Sequence, residues 1–244
     1  SEGLILERFL DHARHVEIQI IGDGDGKVLH LFERDCTLQR RHQKVIEEAP
    51  AFGLPRELVD RMAADAVRLG ESLNYRGLGT VEFLVAGDDY FFLEVNPRLQ
   101  VEHPVTEAIT GLDLVALHLK IAEGGGLPLA QQDIMRTGHA IEARLYAEDP
   151  GTNFAPSTGD ITHLSLPDDI RLDSGVEEGD TISPFYDPMI AKLIIHAPDR
   201  ATALNELARA LRRTAVAGVE TNRAFLAYGF CGNDRSYPLD RCTS

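Results

Sequence analysis

Cysteine is scarce in this sequence: Cys36, Cys231 and Cys242 are the only three among 244 residues. They show no metal-ligand spacing and cannot all pair, which excludes a disulfide scaffold and points to a reducing compartment. Long hydrophobic runs are missing too, since no stretch approaches the roughly 18 apolar residues a membrane-spanning helix requires. The N-terminus carries no signal-peptide pattern, so the expectation is a cytoplasmic protein. Basic residues are outnumbered, 24 Lys and Arg against 39 Asp and Glu. The formal charge of −15 disfavours nucleic acid or an anionic membrane surface as a partner. There is no GxxxxGK[ST] phosphate loop, no internal repeat and no low-complexity tract.

What is present reads as an ordinary globular chain, 43% hydrophobic and 26% charged, long enough for one large domain or two modest ones. Val16, Ile18 and Ile20 alternate with Glu17 and Gln19, which predicts a strand. The turn Gly22-Asp23-Gly24-Asp25-Gly26 leads to a second strand at 27–32. Lys27 stands where a calcium loop of the EF-hand kind needs an acid, so this is a hairpin turn. An apolar stripe of Val59, Met62, Ala63, Ala66 and Leu73 predicts a helix over 55–73, and a second stripe predicts one helix over 104–122. Gly124-Gly125-Gly126 and Pro128 break that pattern. Beyond them strands are expected at 139–147, 160–166, 170–176 and 189–196, with an amphipathic helix at 199–214. The fold class is α+β, divided into domains at 1–136 and 137–244.

The most informative stretch is GTVEFLVAGDDYFFLEVNPRLQVEHPVTE, residues 79–107. Two apolar runs flank Gly87-Asp88-Asp89, a hairpin signal. With those three residues as the loop, Ala86 opposes Tyr90 and Glu82 opposes Glu94, with Asn96 on the same face. Val81, Phe83, Val85, Phe91, Leu93 and Val95 form the core face. Opposed carboxylates repel unless something positive sits between them, and a hard divalent cation with oxygen ligands answers that need. Solvated glutamates on an exposed sheet face are the bland alternative. Arg98, Gln100 and Glu102 follow at period 2, extending the constellation. A basic cluster, Arg34, Arg40, Arg41, His42 and Lys44, supplies the local positive potential that anionic substrates require. Its mixed-charge setting is equally a solvated surface. On the strand at 139–147, Arg144 stands between apolar residues, either facing a cleft or pairing with Glu142 or Glu148.

The strings EVNPRLQVEHPVTE and ERDCTLQRRHQKVIEEAP resemble biotin carboxylase, an ATP-grasp enzyme of acyl-CoA, pyruvate and urea carboxylases. The likeness runs from about Leu6 to about Phe230 and includes Tyr186-Asp187-Pro188-Met189-Ile190. It implies the C-terminal portion of an ATP-grasp domain, an antiparallel sheet with helices, followed by the small α+β C-terminal domain of that family. It also implies the cofactors ATP, Mg²⁺ or Mn²⁺, and carrier-bound biotin. By the same resemblance Glu7, Arg8 and Leu10 contact adenine, with Arg8 standing where a lysine is common, and His15, Gln39 and His42 face the nucleotide. Glu82 and Glu94 would hold the metal and Asn96 would support it. Arg98 would position bicarbonate together with the backbone of Gln100 and Val101. Glu102 would be the base, and Arg144 would stabilise the biotin enolate.

The resemblance implies a biotin carboxyl carrier protein or domain, a carboxyltransferase subunit and a homodimer as partners. In the family, a preceding domain and a glycine-rich lid come before the point matching Ser1. The expectation is therefore a chain nearly inactive alone, completed by the missing N-terminal part of the same enzyme. Alternatives are another ATP-grasp ligase such as a carbamoyl-phosphate synthetase, or a non-catalytic assembly module. No role is assigned to the tail after Phe230.

Overall fold

The alternation around Val16 yields strand β1 (Arg14–Asp23), and it is unusual in that both faces are buried. The structure is a computed structural model that describes Leu4, Phe9, Leu10 and residues 12–231. From β1 the chain turns at Gly22–Gly26 into β2 (Val28–Arg40) and then β3 (Gln43–Ala49). Asp23 Oδ1 accepts from the backbone N–H groups of Asp25 and Lys27, so the acidic turn is fastened by its own side chain. Helix α1 (Arg56–Ser72), β4 (Arg76–Ala86) and β5 (Asp89–Asn96) follow. Val16, Ile18, Ile20, Val81, Phe83 and Val85 bury one face of the sheet against Leu58, Met62, Ala63 and Ala66 of α1.

The hairpin departs from the expected three-residue loop. Ala86 pairs with Asp89, leaving a two-residue turn of Gly87-Asp88 in which Gly87 takes φ 63°. Phe83 then opposes Phe92, and a register shift at Leu93 restores Glu82 opposite Glu94. Tyr90 and Phe92 consequently stand at the edges of Phe83, in the places expected for Phe91 and Leu93, while Leu93 is 43% exposed.

The single helix expected over 104–122 is two, α2 (His103–Thr110) and α3 (Leu114–Ala122). Gly111 ends α2 in the left-handed region at φ 70°, and Asp113 caps α3 by accepting from Ala116 N at 2.8 Å. Apolar periodicity continues across this break, which is why it hides the break.

Past the glycines, β6 (His139–Tyr146) pairs with β3. The strands Met189–Ala197 and Arg171–Ser174 extend the sheet beyond it. The order is Arg171–Ser174, Met189–Ala197, β6, β3, β2, β1, β4, β5, eight antiparallel strands that run across position 136. Helix α4 (Arg200–Arg213), capped by Asp199, packs Leu207 and Leu211 onto Ile141, Leu145, Leu193 and Ile195. Helix α5 (Arg223–Cys231) adds Leu226 to this core. The strand expected at 160–166 is two short ones, because Gly159–Asp160 pairs with Thr181–Ile182 and His163–Ser165 pairs with Ala215–Ala217. No helix among the described residues is long and apolar enough to cross a membrane.

Candidate functional site

Strand pairing aligns a polar row across the other face of the sheet. Arg34 on β2 opposes Glu17 on β1, Glu17 opposes Glu82 on β4, and Glu82 opposes Glu94 on β5. Glu17 and Arg34 have no exposed surface, and Arg34 donates to Glu17, Gln19 and, on α2, Thr106. Arg34 therefore lies within this buried network and does not face anionic substrates. That corrects its place in the expected basic cluster. A guanidinium wholly removed from water must be paired, and Glu17 meets that requirement.

Lys44 is the hub. Its Nζ lies 2.6 Å from Glu17, 2.9 Å from Glu82 and 2.6 Å from Glu102. Burial alone would raise Glu17, but the charges of Arg34 and Lys44 bring it below the usual carboxylate range. Burial likewise opposes ionisation of Glu82, yet His15 Nε2 at 2.8 Å, Lys44 and Gln100 hold it far below that range. Burial acts to lower Lys44, and the surrounding carboxylates outweigh it, raising the ammonium well above its ordinary value.

Above the row is a cleft of about 770 Å³ lined by Leu10, His15, Gln39, His42, Lys44, Glu82, Leu93, Glu94, Asn96, Arg98, Gln100, Val101, Glu102 and Arg144. It brings together every expected site residue among those described. Glu7 and Arg8 lie outside the described residues. Gln39 Nε2 is 3.1 Å from His15 Nδ1, so two of the expected nucleotide-facing residues support one another. Asn96 Nδ2 donates to both glutamates of the hairpin, at 3.0 Å to Glu82 and 3.3 Å to Glu94. Gln100 Nε2 donates to Glu82 at 3.0 Å. Arg98 is exposed, and among the described residues its guanidinium makes long contacts to Asn96 Oδ1 and Leu99 O. Arg144 pairs with neither Glu142 nor Glu148. Its Nη2 lies 2.5 Å from Glu47 and 3.0 Å from Glu102, and Glu148 pairs instead with Arg40.

Glu82 and Glu94 offer oxygen alone, with an amide beside them, which suits a hard divalent cation. Two other groups come within 4.8 Å, His15–Glu17–Glu82 and Glu17–Cys36–Glu102. Lys44 Nζ already bonds Glu17, Glu82 and Glu102, so an ammonium fills the place where a cation would sit in both. Sequence reading missed Glu17 and the role of Lys44. A signal was available: Glu17 and Gln19 alternate as a solvated face would, but they share the face of Glu82 once β1 pairs with β4.

Residues 1–130 match the model of the carbamoyl-phosphate synthase L chain, ATP binding domain, and residues 142–230 match that of the biotin carboxylase C-terminal domain. The mitochondrial methylcrotonoyl-CoA carboxylase subunit alpha of Rattus norvegicus is 50% identical over 230 residues, 93% of this chain and 32% of that protein. Biotin carboxylase 2 of Bacillus subtilis (strain 168) is 50% identical over 227 residues, 92% of this chain and 51% of that protein. Among solved structures, the biotin carboxylase domain dimer of Hydrogenobacter thermophilus 2-oxoglutarate carboxylase, in complex with MgADP, ADP and bicarbonate, superposes with a TM-score of 0.91. It is 39% identical, over 93% of this chain and 51% of that one. This chain thus spans about a third to a half of the relatives it matches. The first family model alone would leave the carbamoyl-phosphate synthetase reading standing; the second, together with these relatives, separates the two. The chain belongs to the biotin carboxylase family and corresponds to the C-terminal part of its members.

Proposed function

We propose that this chain supplies the catalytic face of an enzyme that uses MgATP and bicarbonate to form carboxyphosphate and then carboxylates biotin on a carrier protein or domain. The observation that carries this reading is Glu102, which touches Lys44 on the hairpin side and Arg144 on the other. A group placed there meets both halves of the reaction. Bicarbonate, held by Arg98 and the Gln100-Val101 backbone, loses its proton to Glu102 and attacks the γ-phosphorus, and the bond to the ADP oxygen breaks. Carboxyphosphate then divides into CO₂ and phosphate. N1 of biotin gives its proton to that phosphate and attacks CO₂, with the enolate oxygen facing Arg144. Glu82 and Glu94 would hold Mg²⁺ or Mn²⁺, with Asn96 beside them, and the ion neutralises charge on the phosphates when bound.

Residues 1–136 serve as the ATP-grasp part and 137–244 as the biotin-side part of this machinery. Carrier, carboxyltransferase, the rest of the enzyme and a second copy are the partners this reading requires. Catalysis of this kind depends on positioning and on excluding water, so the chain by itself is expected to turn over poorly. Calorimetry with MnATP on this chain, and ATP cleavage with and without free biotin in a longer enzyme containing it, test the reading. Biotin-stimulated cleavage supports it. Stimulation by ammonia instead would favour the carbamoyl-phosphate synthetase class, and absence of nucleotide binding would favour a purely structural module.

A further inference from the structure

Glu47 on β3 and Glu142 on β6 stand directly opposite each other, and neither has any exposed surface. Both carboxylate oxygens of Glu47 and both of Glu142 have no hydrogen-bond partner among the described residues, and Glu47 Oε1 has only the ion-pair contact of Arg144 Nη2 at 2.5 Å. The reaction above uses neither residue. Directly opposed, like-charged side chains repel across a strand pair, and burial removes the water that would screen them.

The cations nearby are already committed. Lys44, on β3, serves Glu17, Glu82 and Glu102. Lys192, on the strand Met189–Ala197, donates to Val101 O at 2.9 Å and pairs with Asp173. Arg144, on β6, is divided between Glu47 and Glu102. Glu102, just before α2, adds negative charge, and the buried thiol of Cys36 on β2 adds none that is positive.

We propose that Glu47 and Glu142 share one proton and, as a pair with a single negative charge, hold the Arg144 guanidinium in place beside Glu102. A protonated Glu142 donates to Glu47 Oε2, which gives that oxygen and the protonated oxygen of Glu142 a partner and leaves Glu47 Oε1 to Arg144. Burial pushes Glu47 up to about 7, and burial together with the Glu47 charge pushes Glu142 well above the usual range, in keeping with this sharing. Loss of the shared proton would add a second charge behind Arg144 and draw it away from Glu102. Glu47 and Glu142 are thus positioning residues. Their effect on carboxylation rests on the reading of Arg144 as biotin-facing, whereas the shared proton does not.

A pH titration of the 244-residue chain carrying ¹³C-labelled glutamate carboxyls tests the proton directly. One carboxyl should titrate far above the ordinary glutamate value of about 4.3, and Glu142→Gln, which keeps a donor toward Glu47, should remove that signal while the chain stays folded. If every glutamate of the folded chain ionises near the ordinary value, the shared proton is wrong, and the unsubstituted chain decides this even should the variant not fold. For positioning, Glu47→Gln in a longer enzyme should lower biotin-dependent carboxylation while sparing bicarbonate-dependent ATP cleavage without biotin, and Glu47→Asp should restore part of the loss. Equal loss of both activities would overturn the positioning role. Absence of any biotin effect in the unsubstituted enzyme would instead sink the proposed function and leave the proton result standing.

Discussion

Glu82 and Glu94 face each other across β4 and β5, and they do so only because Leu93 is inserted between the pairs Glu82–Glu94 and Phe83–Phe92. Without a metal, Asn96 Nδ2 bonds both carboxylates and moderates their repulsion. Glu94→Gln should therefore leave the metal-free chain as stable as before or more stable, by a few tenths to about 1 kcal/mol, while weakening Mg²⁺ or Mn²⁺ binding. Urea unfolding and metal titration measure the two effects separately. Clear destabilisation with unchanged metal affinity would remove the metal role.

Among the described residues Lys44 is the one cation bonded to Glu17, Glu82 and Glu102 together, and it is largely buried. Lys44→Met should cost about 3–5 kcal/mol, the range for breaking a buried ion pair from one side. The pH dependence has a definite sign. Glu17 and Glu82 are depressed in the folded chain, so their contribution is present above the unfolded value of about 4.3 and is lost as pH falls through the folded values. Lys44 is raised, so its contribution is full below the unfolded value of about 10.4 and is lost only as pH rises through the higher folded value. The gap between Lys44→Met and the parent should be widest between about pH 5 and 10 and should narrow in acid. A gap that stays constant down to acid unfolding would show that lost packing, not charge, is responsible.

Limited proteolysis should cut first around 122–126 or near Met135, ahead of any site in the β4–β5 hairpin. Gly124 and Gly126 adopt φ of 85° and 66°, and Met135 is 70% exposed. The stretch between these sites is tied down, since Lys27 Nζ donates to Leu127 O and Leu129 O, and Gln131 exchanges bonds with His30. Early cleavage between Val81 and Val95 would contradict the proposed junction between the two parts.

Period-2 and period-3.6 patterns are enough to read β1, α1, β4 and α4, because each buries an apolar face that its own residues mark. They misled wherever both faces of an element are buried or the pattern outlasts the element. Glu17 and Gln19 look like the wet side of β1, but both are buried, with partners Arg34 and Lys44 from β2 and β3, and Arg34 is bonded in turn to Thr106 of α2. Leu93 carries no mark of a bulge. Its insertion cancels a loop one residue shorter than expected, so Glu82 opposes Glu94 as the spacing predicts even though the residues between them pair differently. The roles proposed for Glu102 and Arg144 rest on motif resemblance, since nothing in local spacing brings residues 42 positions apart into contact.

That contact shapes the last prediction. Glu102 Oε2 accepts from Arg144 Nη2 at 3.0 Å while its other oxygen accepts from Lys44, so one carboxylate joins the proposed bicarbonate and biotin sides. If Glu102 is the base for bicarbonate, Glu102→Gln should abolish bicarbonate-dependent ATP cleavage in the longer enzyme, a loss of about 10²–10⁴ in rate. Arg144→Gln keeps the Glu102 carboxylate and its bond to Lys44, so it should impair carboxylation of free biotin more than ATP cleavage measured without biotin. Because the two side chains are bonded, each substitution also disturbs the other's placement, and the double variant should lose less than the product of the single losses. Phosphate release followed with and without biotin distinguishes these outcomes. Equal loss of both activities in both variants, or full bicarbonate-dependent turnover by Glu102→Gln, would show that the two residues do not divide the reaction between them.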